Sequence, residues 1–160
     1  MERSPKIFLI ATEPSGDHLG AALMKELRHR FGNEVAFAGI GGREMEEQGI
    51  VSLFPIGDLA IVGFAAVVKQ LPMLMRRIRE AAEAVIQAQP DILVIIDSPD
   101  FTHRVARRVR KANPSIPIID YVSPTVWAWR PGRARTMARY VDHVLAGLPF
   151  NPGAHSKPRR

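Results

Sequence analysis

The chain has 160 residues, 46% of them hydrophobic and 7% aromatic, enough for one core that buries roughly 70% of the extended surface. It has no cysteine, which excludes disulfides, thiolate nucleophiles and thiolate metal sites and suits a reducing cytoplasm. Basic residues outnumber acidic ones by 22 to 16, and a formal charge of +6 favours phosphates, anionic lipid or nucleic acid without choosing among them.

Residues 7–11 are a continuous apolar run, too short for a signal-peptide core, and predict a strand. Glu13-Pro14-Ser15-Gly16-Asp17 then reads as a loop, and Leu19, Leu23 and Leu27 recur at helical spacing. A second strand is expected at 35–40, ending in Gly39-Ile40-Gly41-Gly42. A short helix at 43–48, stopped by Gly49, and a third strand at 51–54 follow. From Leu71 the apolar positions Leu74, Met75, Ile78, Ala82, Val85 and Ile86 keep one helical face, and Pro90 ends that helix. Residues 91–97 form the strongest strand, apolar on both faces as a central parallel strand requires. Next come a helix over 101–111, a strand over 116–121, a loop holding both tryptophans, a basic helix around 133–139 and a last strand over 142–146.

This alternation predicts an α/β fold, a Rossmann-like parallel sheet with helices on both faces, in one domain spanning 1–150. Residues 151–160 lack apolar periodicity and are expected to be a disordered basic tail. No run approaches the ~20 apolar residues of a spanning helix, so the protein is expected to be soluble or peripheral. The five histidines show no ligand spacing, and no metal is expected.

Candidate chemistry gathers where strands run out. Asp97 and Asp100 flank one turn after the strongest strand: Asp100 suits a helix N-cap, and Asp97 is the better general-base candidate, its other reading being a carboxylate bonded to loop amides. Glu13, Ser15, Gly16 and Asp17 offer a carboxylate, a hydroxyl and a flexible glycine ahead of a helix amino end, although Ser15 or Asp17 serves equally well as a cap. The dinucleotide GxGxxG and the Walker lysine are both missing there. Gly41 and Gly42 suit a tight turn or close approach of a ligand to the backbone. The apolar run 61–68, beside Lys69, Arg76, Arg77 and Arg79, reads either as a segment resting in a membrane interface or as a core helix with a charged outer face. Arg104, Arg107, Arg108, Arg110 and Lys111 read as a solvated helix face. Ser123, Trp127, Trp129 and Arg130 offer a hydroxyl, stacking faces and an anion clamp, the alternative for the tryptophans being ordinary core packing.

Five segments together carry a resemblance: Glu13-x-Ser15-Gly16-Asp17, Gly39-Ile40-Gly41-Gly42, Ile96-Asp97-Ser98-Pro99-Asp100-Phe101, Tyr121-Val122-Ser123-Pro124-x-Val126-Trp127-Ala128-Trp129-Arg130, and Val141-Asp142-His143-Val144-Leu145-Ala146-x-Leu148-Pro149-Phe150. They resemble the lipid-A-disaccharide synthases from Lys6 to Pro152. The resemblance implies the N-terminal, acceptor-side domain of a GT-B glycosyltransferase, an inverting, metal-free enzyme with no cofactor. Such enzymes join a UDP-linked diacylglucosamine to diacylglucosamine 1-phosphate and release UDP. The family's essential aspartate falls on Asp97, acting on the attacking 6-hydroxyl. Glu13, Ser15, Gly16, Asp17, Gly41, Gly42, Asp100, Ser123, Trp127, Trp129 and Arg130 fall on the substrate side. Phe64, Val67, Val68, Leu71, Leu74 and Met75 match a membrane-facing region, which implies a cytoplasmic enzyme peripheral to the inner membrane.

The sequence departs from the family pattern at several positions: Thr12 for a glycine, Pro14 for a small residue, Ala66 for a glutamate, Asp120 for a histidine and Thr102 for an asparagine. Family chains continue into a C-terminal nucleotide-binding domain that these 160 residues lack, so little or no transfer is expected from the isolated chain. The alternatives are a non-catalytic half that binds membrane or lipid, and a partner for a separate C-terminal half. Nucleic-acid binding ranks below both, because no RNA or DNA motif accompanies the charge.

Overall fold

A computed structural model of the chain describes residues 3–59, 64–122 and 135–146. Strands β1 (Lys6–Ala11), β2 (Ala36–Ile40), β3 (Ile92–Ile96), β4 (Ile118–Val122) and β5 (His143–Ala146) form one all-parallel sheet in the order β2-β1-β3-β4-β5. Helices α1 (Pro14–Phe31), α2 (Arg43–Glu47), α3 (Phe64–Ala88) and α4 (Pro99–Ala112) cover it, and a short 3-10 turn, Ile56–Leu59, precedes α3.

Two cores result from the period of two along the central strands. Phe8 and Ile10 of β1 and Leu93 and Ile95 of β3 face α3 and α4, packing with Ile78, Val85, Val105 and Val109. Ile7, Leu9 and Ala11 with Val94 and Ile96 face the other way, onto Met24 of α1 and Met45 of α2. Strands apolar on both faces therefore have helices on both faces, as expected.

Three predicted elements change most. Residues 51–54 make only a single parallel bridge, Gly39 to Ser52, rather than a third strand. The Ser52 hydroxyl accepts from the Gly41 amide (3.1 Å) and donates to the Phe54 carbonyl (2.7 Å), bending the segment away from a ladder, and Val51 is 89% exposed. Helix α1 begins at Pro14, so Ser15, Gly16 and Asp17 lie in its first turn instead of in a loop. Proline suits that place because its missing N–H belongs to the first turn, where no intrahelical acceptor exists. Helix α3 starts at Phe64 and runs through Pro72, seven residues earlier than the periodicity from Leu71 suggests. Within the predicted basic helix, residues 135–137 are helical and the following three form a turn; residues 133 and 134, and the tail 151–160, lie outside the described residues.

The chain passes from β1 outward to β2 and returns to the other side of β1 as β3. The connections leaving β1 and β3 thus pass to opposite faces of the sheet, and the carboxyl ends of these two strands are the place where open parallel sheets hold ligands.

Candidate functional site

Ala11 and Ile96 are register partners, so the segments that follow them, Thr12-Glu13 and Asp97-Ser98, leave the sheet side by side at this switch point. Glu13 occupies the N-cap position of α1 in extended conformation; its exposed side chain makes no capping bond. Ser15 is exposed, while Gly16 is buried against Ala11 and Ile96.

Asp17 turns out to cap a different helix. Its carboxylate, 5% exposed, accepts from the amides of Gly42 (2.9 Å), Glu44 (3.0 Å) and Met45 (3.0 Å), tying α1 to the amino end of α2. Three N–H donors and the positive end of a helix repay the desolvation of the charge. Gly42 is a glycine for this reason: a Cβ there would sit 2.7 Å from Asp17 Oδ2. Gly39 is required too, since a Cβ would fall 1.9 Å from the Leu9 carbonyl oxygen at a φ of 153°. Gly41 and Gly42 are thereby held in a fixed turn at the end of β2.

The Asp97-Ser98 turn carries strain. Both residues are left-handed, with φ of 46° and 47°, a conformation that costs non-glycine residues of order 1–3 kcal/mol each. The surroundings over-determine it. The Asp97 amide donates to the Tyr121 carbonyl (3.2 Å), and the Phe101 and Thr102 amides both donate to the Ser98 carbonyl (3.0 Å each). The fully buried Thr102 hydroxyl lies 2.8 Å from the Asp97 carbonyl and 3.1 Å from that of Ser98, sharing its proton between them. Ser98, not Asp100, takes the N-cap position of α4, because Pro99 with its preset φ claims the first helical place; Asp100 lies exposed in the first turn. The half-buried Asp97 thus stands at the carboxyl end of β3 on a turn that these hydrogen bonds hold in place.

Sequence reading missed a cluster one turn further along α4. His103 Nε2 lies 3.0 Å from Asp120 Oδ2, and His103 Nδ1 lies 2.8 Å from the Tyr140 hydroxyl. A carboxylate only accepts, so Nε2 carries a proton; the phenol at Nδ1 either donates or accepts. Asp120 is 2% exposed, and its second oxygen, Oδ1, is buried with no hydrogen-bond partner among the described residues. Arg107 stacks over the Tyr140 ring at 5.0 Å. Beside them a cavity of about 270 Å³ is lined by Asp100, His103, Arg104, Arg107, Thr136 and Tyr140, among others. The unusual Asp120 was the one sequence signal available, since a carboxylate at a central strand position demands a partner.

Ser123, Trp127, Trp129 and Arg130 lie outside the described residues; they follow β4, whose Tyr121 pairs with Ile96 beside Asp97. The apolar stripe of α3 divides. Phe64 and Val67 fall in its first turns, Val68 and Leu71 are 63% and 49% exposed, and Leu74 and Met75 are half-buried against the core. Arg77 does not belong to the outer basic face: it pairs with Asp58 (2.6 Å) and Glu80 (2.8 Å) and lies over the Phe54 ring. Its pKa is raised, first by the Glu80 hydrogen bond and then by Asp58, against the opposing effect of desolvation. Among the described residues no helix is long and apolar enough to cross a membrane, and no group of three histidines or carboxylates is arranged to hold a metal.

Comparison with known proteins adds the family. A model described as lipid-A-disaccharide synthetase matches residues 7–158. A lipid-A-disaccharide synthase of Nitrobacter hamburgensis is 72% identical over 149 residues, covering 93% of this chain and 38% of its own length. One from Rhodopseudomonas palustris is 67% identical over 156 residues, covering 98% of this chain and 40% of its own, and one from Rhodospirillum centenum is 54% identical over 146 residues, covering 91% and 36%. The chain therefore spans about 40% of the length of these relatives. These relatives all carry an enzyme's name.

Proposed function

Since the chain belongs to the lipid-A-disaccharide synthase family, we propose that residues 1–150 form the acceptor-side domain of an inverting GT-B glycosyltransferase with Asp97 as its base. The reaction is transfer of 2,3-diacylglucosamine from its UDP conjugate to 2,3-diacylglucosamine 1-phosphate. The Asp97 carboxylate takes the proton of the acceptor 6-hydroxyl, and that oxygen bonds to the anomeric carbon of the donor sugar. The bond from that carbon to UDP breaks, and UDP leaves with its electron pair.

One observation carries this reading: Asp97 occupies a strained left-handed turn at the sheet's switch point. Strain of this kind persists where a carboxylate must project from a strand end, and Thr102 and Tyr121 hold the backbone in place for it. Glu13, Ser15 and Asp100 line the approach. Asp17 acts at one remove, fixing the Gly41-Gly42 turn through its three amide bonds. The family resemblance alone assigns Ser123, Trp127, Trp129 and Arg130 to the acceptor as well. The relatives extend well beyond the matched length, and the 160-residue polypeptide alone is expected to transfer little or no sugar.

The base is tested by joining residues 1–150 to the remaining length of the Nitrobacter relative and following UDP release. Asp97→Asn should lower kcat by about 10³-fold, within the range of general-base removal, with little change in KM. A variant within a few-fold of the parent would refute the assignment.

The acylated substrates call for contact with the cytoplasmic face of the inner membrane, made by the start of α3. Exposed Val68 and Leu71 sit there beside exposed Lys69, Arg76 and Arg79. Leu71→Asp should reduce flotation with anionic vesicles by about tenfold while shifting stability by no more than about 0.5 kcal/mol. Unchanged flotation would remove this contact from the account.

A further inference from the structure

Read alone, the arginines of α4 are a solvated face; the structure separates them. Arg110 is engaged by Asp142 and by the Pro114 carbonyl (2.6 Å), just as Arg3 is engaged by Asp91 and Arg77 by Asp58 and Glu80. Arg104 and Arg107 line the cavity of about 270 Å³ and have no carboxylate partner within ion-pair distance among the described residues. Arg107 meets Tyr140 through a cation–π contact, with Cζ 5.0 Å from the ring centroid, rather than through an ion pair. On the opposite wall one Asp120 oxygen is engaged by His103, and Tyr140 is held by the same imidazole. Asp100 is the only carboxylate lining the cavity among the described residues, where two guanidinium groups accompany it.

We propose that this cavity is a phosphomonoester subsite, with Arg104 and Arg107 as the cations and the Tyr140 phenol, fixed by His103 and Asp120, as its directed wall. Identification of the ligand as the acceptor's 1-phosphate rests on the function proposed above. Location supports that identity. Asp97 lies in the turn that starts α4, and Arg104 is five helical steps, or ~7.5 Å of rise, beyond the first helical residue, Pro99. A hexosamine with its reacting hydroxyl at one end and its phosphate at the other spans that scale. The site would therefore select a phosphorylated acceptor and orient its free hydroxyl toward the base.

The test uses the 160-residue chain, isotopically labelled, with the His103 and Tyr140 ring resonances as reporters. Glucosamine 1-phosphate should shift both saturably, and glucosamine should shift neither. Inorganic phosphate should bind at least about tenfold more weakly, and anionic lipid vesicles should leave both rings unmoved. Arg104→Gln and Arg107→Gln should each weaken glucosamine 1-phosphate binding about tenfold, with Arg107→Lys partly restoring it. Arg108→Gln, exposed on the same helix but not lining the cavity, should leave binding unchanged. The subsite is overturned if neither ring responds, if glucosamine responds equally, or if the Gln variants bind normally. Equal affinity for inorganic phosphate, or displacement by vesicles, overturns its assignment to a sugar phosphate. In the joined enzyme, Arg107→Gln should raise KM for the phosphorylated acceptor, whereas Asp97→Asn acts on kcat. Failure of the base assignment would thus be read separately from failure of the subsite.

Discussion

Asp17 and Asp120 are both almost wholly buried, on opposite faces of the sheet, yet the fold answers their charges in different ways. Asp17 spends both oxygens on three backbone amides of α2 and its approach. Asp120 gives one oxygen to a single imidazole, which in turn holds the Tyr140 phenol that lines the cavity. A carboxylate satisfied by backbone behaves as architecture, because nothing short of unfolding α2 can change its partners. One satisfied by a side chain is linked to whatever touches that side chain. The α1–α2 side of the strand ends is on this view a fixed wall, and the α4 side is the part that responds to a ligand.

The largest effect should come from the fixed wall. Asp17→Ala removes three charge-assisted bonds and should cost about 3–4 kcal/mol in urea unfolding, lowering Tm by about 8–12 °C. A loss below about 1 kcal/mol would place Asp17 outside the architecture and return it to the substrate.

A smaller effect is expected across the sheet, and it should be non-additive. His103→Leu leaves a buried charge with no partner and should cost about 2–3 kcal/mol, whereas Asp120→Asn, which removes the charge, should cost about 1 kcal/mol. The double variant should be more stable than the sum by about 1–2 kcal/mol. Strict additivity would show that the pair is not coupled, and the contrast with Asp17 would collapse.

The smallest effect concerns the ends of β3 and β5, where Asp91 and Asp142 anchor the strands from outside the site. Desolvation raises the Asp142 pKa, but the Ile118 amide and Arg110 outweigh it and hold the carboxyl below its ordinary value of 3.8. The Lys6 amide, then Arg3, likewise lowers Asp91 in spite of some desolvation. Folded values below the unfolded ones mean that this stability is present above pH ~3.8 and is lost as pH falls through the folded values. Unfolding midpoints should therefore change little on account of these groups from pH 7 to 5 and fall below about pH 4. Asp142→Asn should flatten that acid limb; an unaltered limb would show that other carboxylates govern it.

Much of this was legible in the residues. Continuous apolar runs marked β1 and β3, since only a strand covered on both faces needs them, and Asp97 stood out as a charge where such a run stops. The errors have local causes. Val51 and Leu53 alternate like a strand, but the Ser52 hydroxyl competes for the backbone and turns the segment aside. Pro72 weighs against a helix that starts earlier than Leu71, yet α3 passes through it, packed along α4 and the core.

The sequence by itself determined the parallel α/β sheet, the strand-end position of Asp97 and the resemblance to one family, because hydrophobic period and short motifs are written in neighbouring residues. Only the tertiary structure decided that Asp17 caps α2, that Asp97 and Ser98 are left-handed, and that His103 meets Asp120 and Tyr140 beside two arginines. Those pairs lie 17 to 37 residues apart, and no spacing rule reaches that far. The desolvation cost of a buried charge requires that some partner exist, and the packing of α4 over β4 determines which one it is.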